Sequence, residues 1–227
     1  MSIFKFVPET NLISVPVTEI YRYMGIYGKP SQVEEKLAMC ALWETAKEAN
    51  PQVCYTLCPI ERGEGYVDAG FGRVESASLR ELLEGCSLAV VFAATTGAAV
   101  DRVINRLKTK DISEAVAADA AATAFTEGLC ELFCEHIKSG LPKGKGLTMR
   151  FSPGYGDLPL TLQKNIFALL NCPKNIGLTL TESLMMVPSK SVTAVMGIKN
   201  EPTPENCKHK CKNCRLTECL YRKEENK

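Results

Sequence analysis

"SEAVAADAAATAFTEGLCELFCEHIKSG", residues 113–140, reads as one long helix whose first half is mostly alanine and whose end is marked by Gly140. Alanine adds little bulk, so a neighbouring backbone can approach closely, and the stretch is expected to be a buried central helix. "AAVDRVINRLK" (98–108) begins the helical region just ahead of it. Before that, "SLAVVFAATTG" (87–97) is a nearly continuous apolar run of strand length.

Working outward, "SLRELLEG" (78–85) is a helix stopped by Gly85, while "VCYTLCPI" (53–60) and "GYVDAGFGRVES" (65–76) read as strands. In "SQVEEKLAMCALWETAKEAN" (31–50), Ser31 and Glu34 form a capping box, and Val33, Leu37, Cys40, Ala41 and Trp43 give a helical rhythm. "VPVTEIYRYMG" (15–25) is a short helix ended by Gly25. Downstream come a short strand in "GLTMRF" (146–151), a helix in "LTLQKNIFALLN" (160–171) and two strands around Pro188 in "IGLTLTESLMMVPSKSVTAVMGIK" (176–199). Hairpins and helices are mixed rather than strictly alternating, so the expected class is α+β. Composition shifts at Glu201 into the polar, cysteine-rich "EPTPENCKHKCKNCRLTECLYRKEENK", which divides the chain into residues 1–200 and a separate module, 201–227.

With 227 residues and 45% apolar content, the chain can bury a substantial core. A net charge of +1 supplies no global field to recruit nucleic acid or membrane. No apolar run is long enough to span a bilayer, and Lys5 and Glu9 flank a start unlike a signal peptide; a cytoplasmic protein is expected. Eleven cysteines without an export signal point to reduced thiols and, where they cluster, to metal. The pairs Cys54/Cys58 and Cys130/Cys134 read as core packing.

"GEGYVD" lacks the third glycine of a dinucleotide fingerprint, and "KGKG" lacks the ending of a phosphate loop. His136 and His209 are the two histidines, too little material for histidine-based hydrolysis; His136 reads as a surface or helix-end residue. "RFSPGYGDLPL" (150–160) survives this filter. Its arginine fork suits a carboxylate or phosphate, Gly154 and Gly156 permit close approach of a ligand, and Tyr155 adds an aromatic face. The alternative for the same residues is an ordinary strand-to-helix turn.

"RFSPGY" resembles the R-x-A-P-G-Y element of the activation domain of cobalamin-dependent methionine synthase. "AFTEGLCELFCEHI" (124–137) is similar to that domain's "AFAEYLHERV" helix, and "LTLTESLMMVPSKSVTAVMG" (178–197) to its "LTES…M-x-P-x-x-S-V-S-G" segment, in the family's order. "EIYRYMGIYG" (19–28) and "FAATTGAAVDRVI" (92–104) also look like small free-standing relatives, so the resemblance spans nearly all of residues 12–200. It implies a C-shaped α+β domain with a twisted antiparallel sheet flanked by helices, binding S-adenosylmethionine. By the same resemblance the donor loop maps onto Arg150, Ser152, Gly154 and Tyr155: Arg150 would grip the methionyl carboxylate, the backbone around Ser152 and Gly154 would meet the adenosyl part, and Glu127 would face the ammonium group. A zwitterionic tail requires one fixed cation and one fixed carboxylate, which agrees.

The implied activity is reactivation: reductive methylation of an inactive cob(II) corrinoid. The chain has no D-x-H-x-x-G cobalamin element, so the corrinoid would come on a partner, a methyltransferase such as a methionine synthase lacking its own activation domain. The electron would come from a flavodoxin, a ferredoxin or the tail. No side-chain acid or base is needed, only attack geometry.

Cys207, Cys211, Cys214 and Cys219 follow the spacing C-x3-C-x2-C-x4-C, four thiols within 13 residues. Six cations among and just after them, Lys208, Lys210, Lys212, Arg215, Arg222 and Lys223, favour thiolates. C-x3-C-x2-C is also the cluster spacing of radical S-adenosylmethionine enzymes, but such an enzyme builds its barrel after the motif, and 13 residues follow Cys214. Iron–sulfur is favoured over zinc because the implied chemistry consumes an electron, and soft thiolates suit both. A second reading stays open: a non-enzymatic module with a structural zinc knuckle that binds nucleic acid or an acidic protein.

Overall fold

The apolar run at 87–97 is the middle of a sheet covered on both faces. The computed structural model describes residues 1–202. Its strands and helices are, in order, β1 (Phe4–Phe6), α1 (Val17–Tyr23), α2 (Gln32–Glu48), β2 (Gln52–Pro59), β3 (Glu61–Arg62), β4 (Val67–Asp68), α3 (Ala77–Leu82) and β5 (Cys86–Thr95). There follow α4 (Ala98–Lys108), α5 (Ile112–Ser139), β6 (Gly146–Leu147), α6 (Leu162–Leu170), α7 (Cys172–Ile176), β7 (Thr179–Leu180), β8 (Met186–Val187) and β9 (Ser191–Lys199). The main sheet runs β1-β2-β5-β9-β6 with every pair antiparallel. This is the α+β arrangement expected, a sheet flanked by helices.

Alternate residues of β5 go to opposite sides. Ala89, Val91 and Ala93 face a core made with Leu79 and Leu83 and with Leu162, Ile166, Phe167 and Leu170 of α6. Val90, Phe92 and Ala94 face Phe125, Leu129, Phe133 and Ile137 of α5. Polar residues have no solvated face to occupy, so the strand reads as unbroken apolar sequence rather than as alternation. Cys54 and Cys58 lie buried in the first core and Cys130 in the second, as packing residues.

The alanines of α5 serve two further contacts. Ala117, Ala120, Ala121 and Ala124 pack against Ile20 of α1 and Ala38 and Ala41 of α2; Ala115, Ala118 and Ala122 pack against Val100, Val103, Ile104 and Leu107 of α4. With the sheet against its second half, α5 is the buried central helix. Asp111 separates it from α4 and caps it, accepting from the amides of Ser113 and Glu114.

Two sequence readings need revision. The capping box at Ser31 and Glu34 forms as expected, but Val33, Cys40 and Trp43 face solvent, Trp43 at 65% exposure, and the buried side of α2 is Ala38, Ala41 and Thr45. The alanines set the contact because small residues let two helices close on each other, leaving the large ones outside. "GYVDAGFGRVES" is not a full strand: it is β4, a bridge from Val67 to Val74, and a loop in which Gly70 and Gly72 adopt positive φ. The Asp68 carboxylate accepts from both glycine amides and holds that loop closed.

Candidate functional site

Arg150 sits where β6 leaves the sheet and before Phe151 returns to it by a bridge to Val195. That bridge makes two backbone hydrogen bonds of 2.9 Å, so the start of the turn is fixed to β9. The turn then folds on itself: Tyr155 N–H donates to the Ser152 carbonyl at 3.2 Å, Leu158 N–H to the Tyr155 carbonyl at 3.0 Å, and Gly154 N–H to the Leu158 carbonyl at 2.9 Å. Gly154 has φ of 90° and Gly156 of 57°, backbone that glycine adopts without strain.

The far end is tied down by Asp157. Its carboxylate accepts from Ser76 Oγ at 2.6 Å, from the Ala77 amide at 2.6 Å and from the Ser78 amide at 3.2 Å, the first amides of α3. These bonds, the Ser76 hydroxyl first, hold the Asp157 carboxyl down at about 2. Pro153 and Leu158 are buried beneath the turn, while Gly154 and Tyr155 project outward, Tyr155 at 67% exposure. The result is a rigid, solvent-facing turn anchored to β9 at one end and α3 at the other.

The Arg150 side chain points the other way, onto α5. Its Nη2 donates to Glu127 Oε2 at 3.0 Å and to Glu131 Oε1 at 2.6 Å. The guanidinium side of the pair is buried, 7% exposed, and the carboxylates are open, at 46% and 55%. Burial pulls the guanidinium pKa down, but Cys130, Glu127 and Glu131 outweigh it and raise it overall, so the cation is permanent. Cys130, enclosed beneath it, is pushed up to about 12 by that burial and stays a neutral thiol.

On the other flank Tyr23 of α1 has its phenol pKa raised by burial and then by Glu127, with Arg22 opposing. Arg22 lies over the Tyr23 ring at 4.3 Å and is paired with Glu19 at 2.5 Å. Gly128 is the reason these elements meet: a Cβ there would come within 2.6 Å of the Ser14 carbonyl oxygen.

Arg150 and Glu127, 23 residues apart, are therefore in direct contact, and Ser152, Gly154 and Tyr155 follow on the same turn. Glu131 was not among the expected residues, although its spacing of four from Glu127 on one helix was a readable signal. Asp157 was also missed; its partners are about 80 positions away, and no local pattern announces them. His136 is exposed in the last turn of α5 and stacks on Phe6 at 4.5 Å. Among the described residues no group of His, Cys, Asp and Glu is placed to hold a metal; Cys207, Cys211, Cys214 and Cys219 lie outside the described residues. Among the same residues no helix is long and apolar enough to cross a membrane.

Residues 84–204 match the model of the family described as vitamin B12 dependent methionine synthase, activation domain. Among solved structures, one described as the MetH reactivation domain bound to AdoHcy is similar in fold, with a TM-score of 0.67 at 18% identity, covering 87% of this chain and 78% of that one. No curated protein sequence matches the chain significantly.

Proposed function

This chain belongs to the family of activation domains of vitamin B12 dependent methionine synthase, and from that premise we propose that it binds S-adenosylmethionine at the Arg150 turn and supports reactivation of a corrinoid carried by a separate methyltransferase. The observation that carries the reading is the contact between Arg150 and Glu127, made by the residue that leads directly into an exposed glycine turn. Arginine offers five donors in a planar fork; the glutamates engage Nη2 from the solvent side, and the ligand's carboxylate takes other donors of the same fork in this reading. Glu127, half open to solvent, takes the ammonium group. The backbone of Ser152 and Gly154 and the ring of Tyr155 receive the adenosyl part, as bases and sugars accept hydrogen bonds and flat contact. The solved neighbour, whose description names AdoHcy as its ligand, supports the same ligand class.

The corrinoid of the partner, after a one-electron reduction, accepts the methyl group, and the carbon–sulfur bond breaks with its electron pair left on sulfur to give S-adenosylhomocysteine. This chain's contribution is orientation: the turn cannot drift because Phe151 and Asp157 hold both ends. Holding donor and acceptor in attack geometry is itself a large kinetic advantage. No residue at the turn has to move a proton. In this reading the process is cytoplasmic, with a flavodoxin or ferredoxin as the electron source.

Residues 201–227 form a second module in this reading, in which Cys207, Cys211, Cys214 and Cys219 ligate an iron–sulfur cluster. The four-thiolate set fits such a cluster and would put a one-electron relay on the same chain as the donor site.

Isothermal titration with S-adenosylmethionine tests the donor site. Wild type binds one equivalent, and Arg150→Ala binds about 10- to 150-fold more weakly, the loss of a charge-assisted hydrogen bond of about 1.5–3 kcal/mol. Equal affinity for the two proteins would remove Arg150 from the site.

A further inference from the structure

We propose that Glu131 makes the site prefer the sulfonium donor over its thioether product. This rests on the donor-binding reading above. Nη2 of Arg150 is shared by two carboxylates, at 3.0 Å from Glu127 and 2.6 Å from Glu131. One cation against two anions leaves the cluster with a net charge of about −1 at neutral pH. Two neighbouring ion pairs and one phenol leave the sum unchanged, and the exposed Glu135, one turn beyond Glu131, has the same sign as the surplus. Glu19 and Arg22 compensate each other, as do Lys190 and Asp119 at 2.9 Å, and Tyr23 remains a neutral phenol.

The amino-acid end of either ligand is a zwitterion and sums to zero. Arg150 and Glu127 are one cation and one anion, and satisfy that end completely. Glu131 is the surplus charge. With S-adenosylmethionine bound, the sulfonium supplies one further positive charge and the assembly is neutral. With S-adenosylhomocysteine bound, sulfur is neutral and the negative charge of Glu131 goes uncompensated. Three carbon–carbon bonds and one carbon–sulfur bond separate the carboxyl carbon from sulfur, roughly 4–5 Å end to end. A carboxylate already on the guanidinium then lies about 7–9 Å from the sulfonium, inside a Debye length at ordinary ionic strength. Glu131 is half open to water, so the effective dielectric lies between the protein-surface and bulk values, and the expected contribution to discrimination is about three- to ten-fold. A site of this charge also releases its product more readily than its substrate.

Titration of both ligands into wild type, Glu131→Gln, Glu131→Asp and Glu135→Gln decides the matter. The donor-over-product affinity ratio should fall about three- to ten-fold in Glu131→Gln. It should persist in Glu131→Asp, which keeps the charge even if both affinities drop, and in Glu135→Gln, an exposed charge one turn along the same helix. Added salt should erode the wild-type preference. If Glu131→Gln binds both ligands more tightly by the same factor, Glu131 merely competes for Arg150 and the inference is wrong. An unchanged ratio in Glu131→Gln also overturns it, as does a lost ratio in Glu131→Asp. Failure of wild type to bind either ligand would instead overturn the donor-binding reading, and this inference with it.

Discussion

Arg150 meets two demands that conflict in most proteins, being buried enough to be held in one place and charged enough to take a ligand. The open carboxylates of Glu127 and Glu131 resolve this by neutralising the cation from the solvent side. Phe133 is the apolar counterpart on the same helix, fully buried, with its ring against Tyr55, Phe92 and Phe6 at 5.1, 4.8 and 5.9 Å. Phe133→Ala should cost about 3–5 kcal/mol of stability in urea unfolding, with a loss under about 1 kcal/mol contradicting this packing. Asp157 makes the turn acid-sensitive. Its carboxyl pKa is depressed in the folded chain to about 2, chiefly by the Ser76 hydroxyl, so its stabilising effect is complete above the ordinary carboxylate range near 4. That effect fades as pH falls from about 4 through about 2, whereas Asp157→Asn should lack this pH dependence; parallel acid-unfolding profiles for the two proteins would refute the assignment. At this scale the sequence exposed Arg150 and the turn glycines by type and spacing, and the resemblance supplied Glu127. It hid Asp157, whose role is set by a distant segment.

The elements show why some readings succeeded. α5 was legible as a central helix because alanine at its first half and large apolar residues at its second are the imprint of two kinds of neighbour, helices and then sheet. β5 was legible because both of its faces are covered. α2 misled in detail, since its conspicuous Trp43 faces solvent beside Lys47 while alanines make the contact, and a hydrophobic pattern alone does not say which side a helix buries when small residues suffice. The loop after β4 misled because alternating apolar residues in it are interrupted by glycines at positive φ. Gly128 gives an element-scale prediction. In an isolated helix Gly→Ala would stabilise by about 1 kcal/mol. Here the added Cβ would meet the Ser14 carbonyl at 2.6 Å and Ile13 Cγ2 at 3.0 Å, pushing away the segment that leads into α1. Gly128→Ala should therefore destabilise by about 1–2 kcal/mol in chemical denaturation and also weaken ligand binding, because Glu127 is the residue next to the one displaced. A stabilised Gly128→Ala protein would rule out the close approach.

For the whole molecule, the family match over residues 84–204 and the sheet flanked by helices agree with the family and fold that the ordered motifs implied. The division at residue 200 and the role of the cysteine tail rest on composition and spacing, and are tested chemically. Protein prepared anaerobically should be brown, contain iron, and lose its colour when Cys211 and Cys214 are both replaced by serine; colourless protein with stoichiometric zinc would favour a structural knuckle instead. Removal of residues 201–227 should leave donor affinity unchanged, because among the described residues Arg150, Glu127 and the turn are held by β9, α3 and α5. The most direct test of the donor site is a crystal structure with S-adenosylhomocysteine bound. The ligand's carboxylate should lie within about 3 Å of the Arg150 guanidinium and its amino group near Glu127. Ligand bound at another surface, with Arg150 still closed on both glutamates, would contradict that placement.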